Sequence, residues 1–385
     1  MRTTIMLLIS LLLLALATIF SCEPGVNDHA NNGLPEFSWD HVSLYAHIGI
    51  GDGLKPEQYK FLAKNFDLIC LSGGILSANN PSSIETNIRA GALTIKKYNP
   101  KAKVLMYWAS DLPKHQWKIS NATFPEGGYL SSPDGSYRCF DVSNQYVRDW
   151  WSDVASKAVH DYSCDGIFVD GATAARPGGP WSQRFGKKRA VILEEGMFAM
   201  LRQARTKMGS DKLIIFNPLH GYHENEEPLG WRYLPVADGA MIDDFDRAAN
   251  IRQQSKEYMA NTLEVMSKAA KDGKIIVFKA WPGFTWWSNK EILNKPHEEI
   301  HRLAKERITF PLACFLIGVE PHCYFCYTWG WLPEYGSFDW YPEFDKPLGP
   351  PKGDAIRKGW TYRREFEHAS VFVDLENKSA RIDWR

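Results

Sequence analysis

The fold is decided by one short stretch of sequence, Asp165-Gly166-Ile167-Phe168-Val169-Asp170-Gly171. An Asp-Gly pair stands at each end of three apolar residues, a pattern typical of a short buried strand that leads directly into a turn. Asp170 occupies the last strand position, and in a β/α barrel that position faces the mouth of the active site. The stretch therefore predicts a barrel strand that presents a carboxylate.

A second stretch, Asp238-Gly239-Ala240-Met241-Ile242-Asp243-Asp244, repeats this pattern. Aligned with the first stretch, it places Asp243 at the point that Asp170 occupies. The two residues are either turn-forming aspartates after core strands or a pair of carboxylates at one site. The remaining strands and loops bear on that choice.

Apolar strand-like runs and helical patterns alternate along the central part of the chain. Eight alternations require a parallel sheet, and eight is the number of units that closes a barrel. No glycine-rich nucleotide-binding motif follows a strand, which argues against an open doubly wound sheet. We therefore predict an α/β fold, a (β/α)8 TIM barrel, over residues 39–346. Besides the two stretches above, the predicted strands are 42–50, 66–71, 102–109, 212–216, 274–280 and 322–328, and the predicted helices are 56–65, 84–98, 144–162, 188–208, 251–271 and 298–317.

The last part of the chain, residues 347–385, has a different pattern. It opens with the linker Pro347-Leu348-Gly349-Pro350-Pro351 and continues as short strands, notably Ala369–Leu375 and Ala380–Trp384. The prediction is a small C-terminal β appendage packed on the barrel.

Residues 1–21 have the features of an export signal, with an apolar run that is short for a membrane span. Ser21 followed by Cys22 resembles the lipobox of bacterial lipoproteins, so Cys22 is the predicted lipidation site. Residues 22–38 are then a lipidated N-terminus and a flexible tether. We expect an exported cell-envelope lipoprotein (outer membrane, periplasmic or surface-facing) held to the membrane through Cys22, with plain secretion as the alternative.

Charge and cysteine content exclude some classes of partner. Lys+Arg and Asp+Glu both number 45, so the chain lacks the basic excess that nucleic-acid binding requires. Cys323 and Cys326 lie three apart in a strand-like run, so their side chains should point to opposite faces and form a poor zinc pair. We assign no disulfide and predict no cofactor.

The two aspartates end the fourth and sixth strands, and side chains from alternate barrel strands form one layer. Neighbouring strands are about 4.8 Å apart, so two strand ends that flank a third lie about 9 Å apart before their side chains converge. Glycosidases use one protonated and one charged carboxyl group, about 5–5.5 Å apart in retaining enzymes and about 6.5–9.5 Å apart in inverting ones. Asp170 and Asp243 therefore suit glycosidic cleavage, and the stereochemistry stays open.

The neighbours of the two aspartates indicate different roles. Asp170 has apolar neighbours and is followed by Gly171, whose missing side chain should leave room for substrate, so Asp170 is the expected charged partner, nucleophile or base. Asp243 has Asp244 beside it and Asp246 nearby, which favours its protonated form as general acid. Strand alternation directs Asp244 toward the helices or the rim, where it is a candidate substrate contact.

Aromatic residues collect at the strand ends, where flat rings can pack on the C–H faces of sugars. Tyr107 and Trp108 end the third strand, and Trp281 follows the seventh. We expect them to bind substrate, with core packing as the alternative for any one ring. Four more tryptophans follow the seventh and eighth strands: Trp286, Trp287, Trp329 and Trp331.

Polar residues within apolar strands are further candidates for substrate binding. Lys279 lies in the seventh strand and should face the mouth and pair with a carboxylate, because a buried lysine is rarely unpaired. Asn217 ends the fifth strand, and His47 lies in the first, where a satisfied core histidine is the alternative. His220-x-x-His223 is a possible metal site of short spacing, and we predict no metal.

Several segments resemble a known group: Asp165–Gly171, Asp238–Phe245, Phe140–Trp151 and the C-terminal residues 347–354 and 362–373. They look like the hypothetical glycosyl hydrolase family 15 type and, more distantly, the endo-polygalactosaminidase-like barrels. The resemblance implies a TIM barrel in which an Asp ending strand four and an acidic residue ending strand six are the catalysts. These map to Asp170 and Asp243, and the Asp at the second place departs from the more frequent Glu.

The sequence thus predicts a glycoside hydrolase that acts on a poly- or oligosaccharide. A barrel that binds carbohydrate without cleaving it is the alternative, and the presence of both aspartates favours the enzyme.

Overall fold

A parallel sheet of eight strands organises the structure, a computed structural model that describes residues 33–73, 84–112, 120, 122–221, 227–247 and 252–385. The strands pair in chain order, and a parallel bridge between Leu44 and Phe325 joins the last to the first and closes the barrel. The predicted TIM barrel is confirmed. Its strands are β1 (Tyr45–Gly49), β2 (Leu68–Ser72), β3 (Lys103–Ala109), β4 (Gly166–Asp170), β5 (Leu213–Asn217), β6 (Gly239–Ile242), β7 (Ile275–Ala280) and β8 (Cys323–Tyr327).

The strands are staggered around the barrel. Moving from Phe325 on β8 to the paired residue of each neighbouring strand in turn, back to β1, the register arrives at position 52. The closing bridge instead pairs Phe325 with Leu44. This offset of eight residues over eight strands is the stagger expected of a TIM barrel. A layer at constant height therefore advances by about one residue from each strand to the next.

Side chains that point into the barrel form one cluster, and those that point to the helices form another. The inner cluster includes Tyr45, Phe168, Met241 and Tyr324, which are each buried. Cys323 belongs to the outer cluster and Cys326 to the inner one, so these two thiols point to opposite faces as predicted. All six cysteines of the described residues are free thiols.

The helices lie outside the barrel between successive strands. The predicted helix 298–317 is wrong as one element, because it breaks at Ile308 into two helices. Pro311 has no N–H to bond back to the preceding turn, and it is tolerated in the first turn of the second helix. The helices are α1 (Pro56–Asn65), α2 (Ile84–Tyr98), α3 (Gln145–His160), α4 (Pro180–Phe185), α5 (Lys187–Met208), α6 (Lys256–Lys271), α7 (Lys290–Leu293), α8 (His297–Arg307) and α9 (Thr309–Gly318). Shorter helical turns are Ala172–Ala175, Trp231–Val236, Pro333–Ser337 and Pro342–Asp345.

The C-terminal appendage is an antiparallel sheet of four strands, which confirms the prediction and adds two strands to it. It packs on α9, whose sequence is apolar on all sides and whose outer face would otherwise meet water. Arg364 fastens the sheet to the end of that helix by donating to Ile317 O and pairing with Glu320. The strands are β9 (Ile356–Lys358), β10 (Thr361–Glu365), β11 (Ala369–Asp374) and β12 (Ser379–Trp384).

Two local features differ from the sequence expectation. The loop after β3 contains a hairpin, Tyr129–Ser131 paired with Arg138–Phe140, whose first strand the surrounding Gly, Ser and Pro residues concealed. At the N-terminus, Leu34 packs against the inner cluster, although the predicted tether included this residue. The export signal and Cys22 lie outside the described residues. Within the described residues, no helix is long and apolar enough to cross a membrane.

Candidate active site

The structure brings Asp170 and Asp243 to one height of the barrel. Asp170 pairs with Asn217 on β5, and extension of the β5–β6 pairing places Met241 opposite Asn217. Asp243 lies two residues beyond Met241 and two strands beyond Asp170. Because a layer advances by about one residue per strand, the two aspartates belong to one layer and both point inward.

Asn217 lies between the two aspartates at the end of β5. Its Nδ2 donates to Asp243 Oδ2 at 3.2 Å and reaches Asp170 Oδ1 at 3.4 Å. The separation of these two carboxylate oxygens therefore cannot exceed the sum of the two distances. Asn217 ends β5, as the sequence indicated, and its side chain therefore bridges the two carboxylates across the mouth.

Asp170 accepts hydrogen bonds on its side-chain carboxylate and on its main-chain carbonyl. Tyr107, from the inner face of β3, donates its hydroxyl to Asp170 Oδ2 at 2.6 Å. Ser110 donates its N–H and its hydroxyl to Asp170 O at 2.8 and 2.9 Å. Burial is the main reason why the pKa of Tyr107 is raised well above its ordinary value, with the Asp170 charge adding to it. The Tyr107 hydroxyl therefore keeps its proton and remains a hydrogen-bond donor to Asp170.

The space beside Gly171 is not open to substrate, which corrects the sequence expectation. A Cβ at this position would lie 2.6 Å from Asp111 Oδ1, so the Asp111 carboxylate fills the gap. Gly171 also has a φ of +79°, a conformation that residues with a side chain rarely adopt. Glycine at this position serves the turn and the approach of a third carboxylate to the mouth.

Asp243 is bonded through both of its carboxylate oxygens. Its Oδ1 lies 2.8 Å from His220 Nε2, and its Oδ2 accepts from Asn217. His220 Nδ1 in turn lies 2.7 Å from the hydroxyl of Tyr258, in the first turn of α6. Trp281 Nε1 donates to Asp243 O at 2.8 Å and so fixes the main chain.

Asp244 lies at the rim with Asp243 and His220, and one ligand-type atom from each of the three falls within 4.8 Å of the others. A cation there would take the lone pair of His220 Nε2, a nitrogen that already lies 2.8 Å from Asp243 Oδ1. Binding would therefore break the hydrogen bond that organises the group. We describe His220 and Asp243 as a hydrogen-bonded pair and assign no metal to it. His223 lies outside the described residues.

Lys279 faces the interior of the mouth as predicted, but its predicted carboxylate partner is wrong. Its ammonium donates to Ala280 O at 2.8 Å and to Thr328 O at 2.5 Å, and it lies 3.8 Å from the centre of the Trp281 ring. Burial lowers the pKa of Lys279 to about 8, against the opposing charges of Cys326, Asp243 and Asp246. Two main-chain carbonyls and the face of the Trp281 ring contact the buried ammonium where a carboxylate was expected, and both kinds of group stabilise a buried positive charge.

His47 lies at the base of the mouth and is buried among aromatic rings. Its ring packs at 4.6 Å from Trp331 and 5.0 Å from Phe168, and its Nδ1 lies 3.1 Å from the Tyr45 hydroxyl. This is the satisfied core histidine that the sequence left as an alternative.

Trp108 does not reach the mouth, which corrects its prediction as a substrate contact. It is 3% exposed, packs against Trp150 and Trp151 of α3, and donates Nε1 to Trp151 O. Successive side chains of a strand point to opposite faces, so Tyr107 and Trp108 cannot both face the site. Trp329 is also buried in the outer cluster, against Phe284.

One side of the mouth is an aromatic wall, formed by Trp281, Trp286, Trp287 and Trp331 from the loops after β7 and β8. Trp281 packs edge-on against Trp287 and against Trp331, with ring centres 5.5 Å apart in both pairs. Trp287 is 40% exposed, so its face is open to solvent at the rim. The exposed ring face of this wall can contact a flat apolar surface.

The other side of the mouth is a polar cleft of about 570 Å³ between the loops after β4, β5 and β6. Arg232 pairs there with the buried Glu194 at 3.0 Å. Burial raises the pKa of Glu194, against the opposing charge of Arg232. The residues that line the cleft include Arg176, Glu194, His220, Arg232, Tyr233, Asp244, Arg252 and Tyr258.

Three residues of the site were missed by the sequence analysis. Asp111 follows a strand end, as Asp170 does, and that repeated position was the signal that could have identified it. In the sequence, His220 stands out only as half of a possible metal motif. Tyr258 is 38 residues away from His220 on a helix, and no local pattern links the two.

Comparison with known proteins identifies solved structures of similar fold. The glycoside hydrolase domain of PelA from Pseudomonas aeruginosa is 14% identical, with a TM-score of 0.43 over 62% of this chain and 83% of that one. The maltogenic alpha-amylase AmyB from Thermotoga neapolitana is 12% identical, with a TM-score of 0.47 over 87% and 85%. An alpha-amylase from Anoxybacillus is 11% identical, with a TM-score of 0.48 over 88% of each chain. These values are too low to support an inference about activity. Among curated proteins, no relative matches the sequence.

A family match covers most of the barrel. Residues 96–370, more than two thirds of the chain, match the family described as hypothetical glycosyl hydrolase family 15. The matched segment includes Asp170, Asn217 and Asp243, and it confirms the resemblance that the sequence motifs indicated. The chain belongs to hypothetical glycosyl hydrolase family 15, and its activity is that of a glycosidase.

Proposed function

We propose that the protein hydrolyses glycosidic bonds in a poly- or oligosaccharide, with Asp170 as the charged partner and Asp243 as the general acid. The observation that carries this proposal is the Asn217 amide, which lies 3.4 Å from one carboxylate and 3.2 Å from the other. One donor within reach of both groups means that the two carboxylates can act on one glycosidic linkage, as this reaction requires.

The same contacts limit how far apart the two carboxylates lie. The sum of the two distances sets an upper limit at the short end of the separation used by inverting enzymes, about 6.5–9.5 Å. An inverting enzyme needs room for a water molecule between its carboxylate and the sugar. A retaining enzyme has its carboxyl groups about 5–5.5 Å apart, and its charged carboxylate attacks the anomeric carbon directly, so the bridged pair is compatible with both stereochemical outcomes.

The role of Asp170 is supported by its donors. A hydrogen bond from Tyr107 at 2.6 Å stabilises a negative charge on Asp170, because donation to the charged form favours that form. Charge on this carboxylate is what a nucleophile or base needs.

The role of Asp243 is supported by its position at the rim. Its Oδ2 lies on the side of Asn217 and Asp170, and Asp244 lies beside it at the rim. From the sixth strand, Asp243 stands across the gap from Asp170, where it can deliver a proton to the departing oxygen.

The two sides of the mouth support a carbohydrate substrate. The aromatic wall offers ring faces that suit the C–H surface of a sugar, and the polar cleft offers hydrogen-bonding groups that suit hydroxyls. The cleft volume of about 570 Å³ is in the range of pockets that hold small molecules. We place one part of the glycan on each side of the Asp170–Asp243 pair.

Release of reducing ends from a panel of neutral, amino and acidic glycans tests the proposal. Wild type should release sugar from at least one of them, and Asp170→Asn and Asp243→Asn should each lose at least about a hundredfold in rate. Asp383→Asn, a surface aspartate that pairs with Arg381, is the matched control and should keep full activity. Thermal unfolding of each variant checks that it is folded.

A different result would support the carbohydrate-binding alternative. In that case wild type binds a glycan of the panel without releasing any product, and Asp170→Asn binds it equally well.

We also propose that the protein is exported and anchored by a lipid at Cys22, from the sequence pattern alone. The mass of the mature N-terminus should correspond to an acylated cysteine at position 22. An unmodified N-terminus, or membrane association unchanged by Cys22→Ser, would contradict the anchor.

A further inference from the structure

A chain of three side chains leads from α6 to the catalytic pair. The Tyr258 hydroxyl lies 2.7 Å from His220 Nδ1, and His220 Nε2 lies 2.8 Å from Asp243 Oδ1. The His220 side chain is 13% exposed and that of Asp243 is 23% exposed. Both contacts have the length of good hydrogen bonds and are mostly shielded from water.

The backbone around His220 is held on three sides. Leu219 N–H donates to Met241 O at 2.7 Å, and His220 N–H donates to Leu229 O at 3.0 Å. Gly221 N–H donates to the hydroxyl of Thr262 on α6, also at 3.0 Å. The main chain that carries the imidazole is therefore placed by contacts other than the one with Asp243.

The contact between the Tyr258 hydroxyl and His220 Nδ1 bears on which imidazole nitrogen carries the proton. Burial, with the charges of Asp244 and Asp243, raises the pKa of Tyr258, so its hydroxyl keeps its proton. When that hydroxyl donates to Nδ1, the proton of the neutral imidazole lies on Nε2 and points at Asp243 Oδ1. Asp243 Oδ2 is then the oxygen that faces Asn217 and Asp170.

We propose that His220 is a positioning residue for Asp243: its Nε2–H, fixed by Tyr258, holds Oδ1, turns Oδ2 toward the gap and stabilises the carboxylate that proton donation leaves behind. This inference rests on the proposed function. In the reaction, the carboxyl proton on Oδ2 passes to the glycosidic oxygen as the bond from that oxygen to the anomeric carbon breaks. His220 keeps its own proton throughout, and its hydrogen bond to Oδ1 strengthens as Asp243 becomes charged.

Other charged or titratable groups face Asp243 from every element around it. Tyr107 and Asp170 lie across the gap, Asp244 is adjacent, and Lys279 approaches from β7. Arg252 lies in the polar cleft, before α6. None of these groups is itself replaced in the His220 and Tyr258 variants, so a difference between variants reports on the chain of three side chains.

The test is the carbon-13 titration of the carboxyl groups in protein labelled at aspartate, with Asp243→Asn used to assign the Asp243 signal. His220→Leu removes the donor, and the titration midpoint of that signal should move upward by about one pH unit. His220→Gln supplies an amide N–H near the Nε2 position and should restore the wild-type midpoint. Tyr258→Phe frees the tautomer and should give a smaller upward shift. His297→Leu, which removes a histidine paired with Asp339, is the matched control and should leave the signal unmoved.

The titration needs no substrate, so its outcome is independent of the glycan panel. An unmoved midpoint in His220→Leu overturns the inference while the activity of wild type stands. A downward shift also overturns it, because it would mean that His220 accepts a hydrogen bond from protonated Asp243. Equal shifts in His220→Leu and His220→Gln would show a packing effect in place of the hydrogen bond.

Discussion

The aromatic wall and the polar cleft come from different loops around the same mouth and are built in contrasting ways. The wall comes from the loops after β7 and β8 and is made of tryptophans that pack edge-on, with Lys279 beneath them. The cleft comes from the loops after β4, β5 and β6 and is made of charged pairs such as Arg232 and Glu194. A sugar has apolar C–H faces and polar edges, so two unlike surfaces can hold it in one orientation.

The direction in which a tryptophan side chain points, and not its residue type, decides whether the ring packs in the core or faces solvent. Trp108 and Trp287 both follow or end barrel strands, yet one is 3% exposed and the other 40%. Trp108 points outward from its strand into the layer between barrel and helices, and Trp287 stands at the rim. The same side chain is core packing in one place and available surface in the other.

The largest effect that tests this comparison is on stability. Trp108→Ala should lower the free energy of unfolding by about 3–5 kcal/mol, because it empties a space packed against Trp150 and Trp151. Trp287→Ala should change it by no more than about 0.5 kcal/mol. Denaturant unfolding of the two variants measures both values. Similar losses in the two would contradict the division between packing and surface.

An intermediate effect concerns the charge beneath the aromatic wall. Burial lowers the pKa of Lys279 to about 8 in the folded protein, against about 10.4 in an unfolded chain. Between these two values the unfolded chain binds a proton that the folded protein does not, so raising the pH favours folding. The penalty of the buried charge is fully present below about pH 8 and disappears as the pH approaches 10.4.

Lys279→Met isolates this effect, because methionine keeps much of the side-chain length without the charge. Relative to the variant, wild type should gain about 2–3 kcal/mol of stability between pH 7 and pH 10.5. Parallel pH dependences of the two unfolding free energies would show that the ammonium titrates normally.

The smallest effect is on substrate binding at the rim. Trp287→Ala should raise KM about tenfold with little change in kcat, because the exposed ring face contributes contact that is equal in the bound substrate and the transition state. Trp287→Phe keeps a ring and should recover part of the affinity. An unchanged KM in Trp287→Ala would contradict a contact between the Trp287 ring and the substrate.

The barrel could be predicted because local pattern and global fold agree in this chain. Each strand is a short apolar run that ends at a turn, and strands buried on both faces read as continuous apolar sequence. The positions of Asp170, Asn217 and Asp243 followed from the same argument, since each ends or directly follows a strand. Confirmed positions are not confirmed roles, and the two catalytic roles stay predictions.

The remaining features of the site depend on contacts between distant segments. The carbonyl partners of Lys279 and the carboxylate of Asp111 beside Gly171 appear only when the loops are in place. The contact of His220 with Tyr258 joins a loop to a helix. Trp108 is a different case, because the alternation of β3 was visible in the sequence and excluded Trp108 once Tyr107 faced inward.

Asp170 and Asp243 have different roles in the proposed reaction, and the dependence of the rate on the leaving group distinguishes these roles. Two aryl glycosides of the sugar released fastest in the panel are compared, one with an activated leaving group and one that needs a proton. Asp243→Asn should lose far more rate on the poor leaving group than on the activated one, because only the former needs the general acid. Asp170→Asn should lose rate on both alike. Equal losses on the two substrates for Asp243→Asn would contradict the roles assigned here.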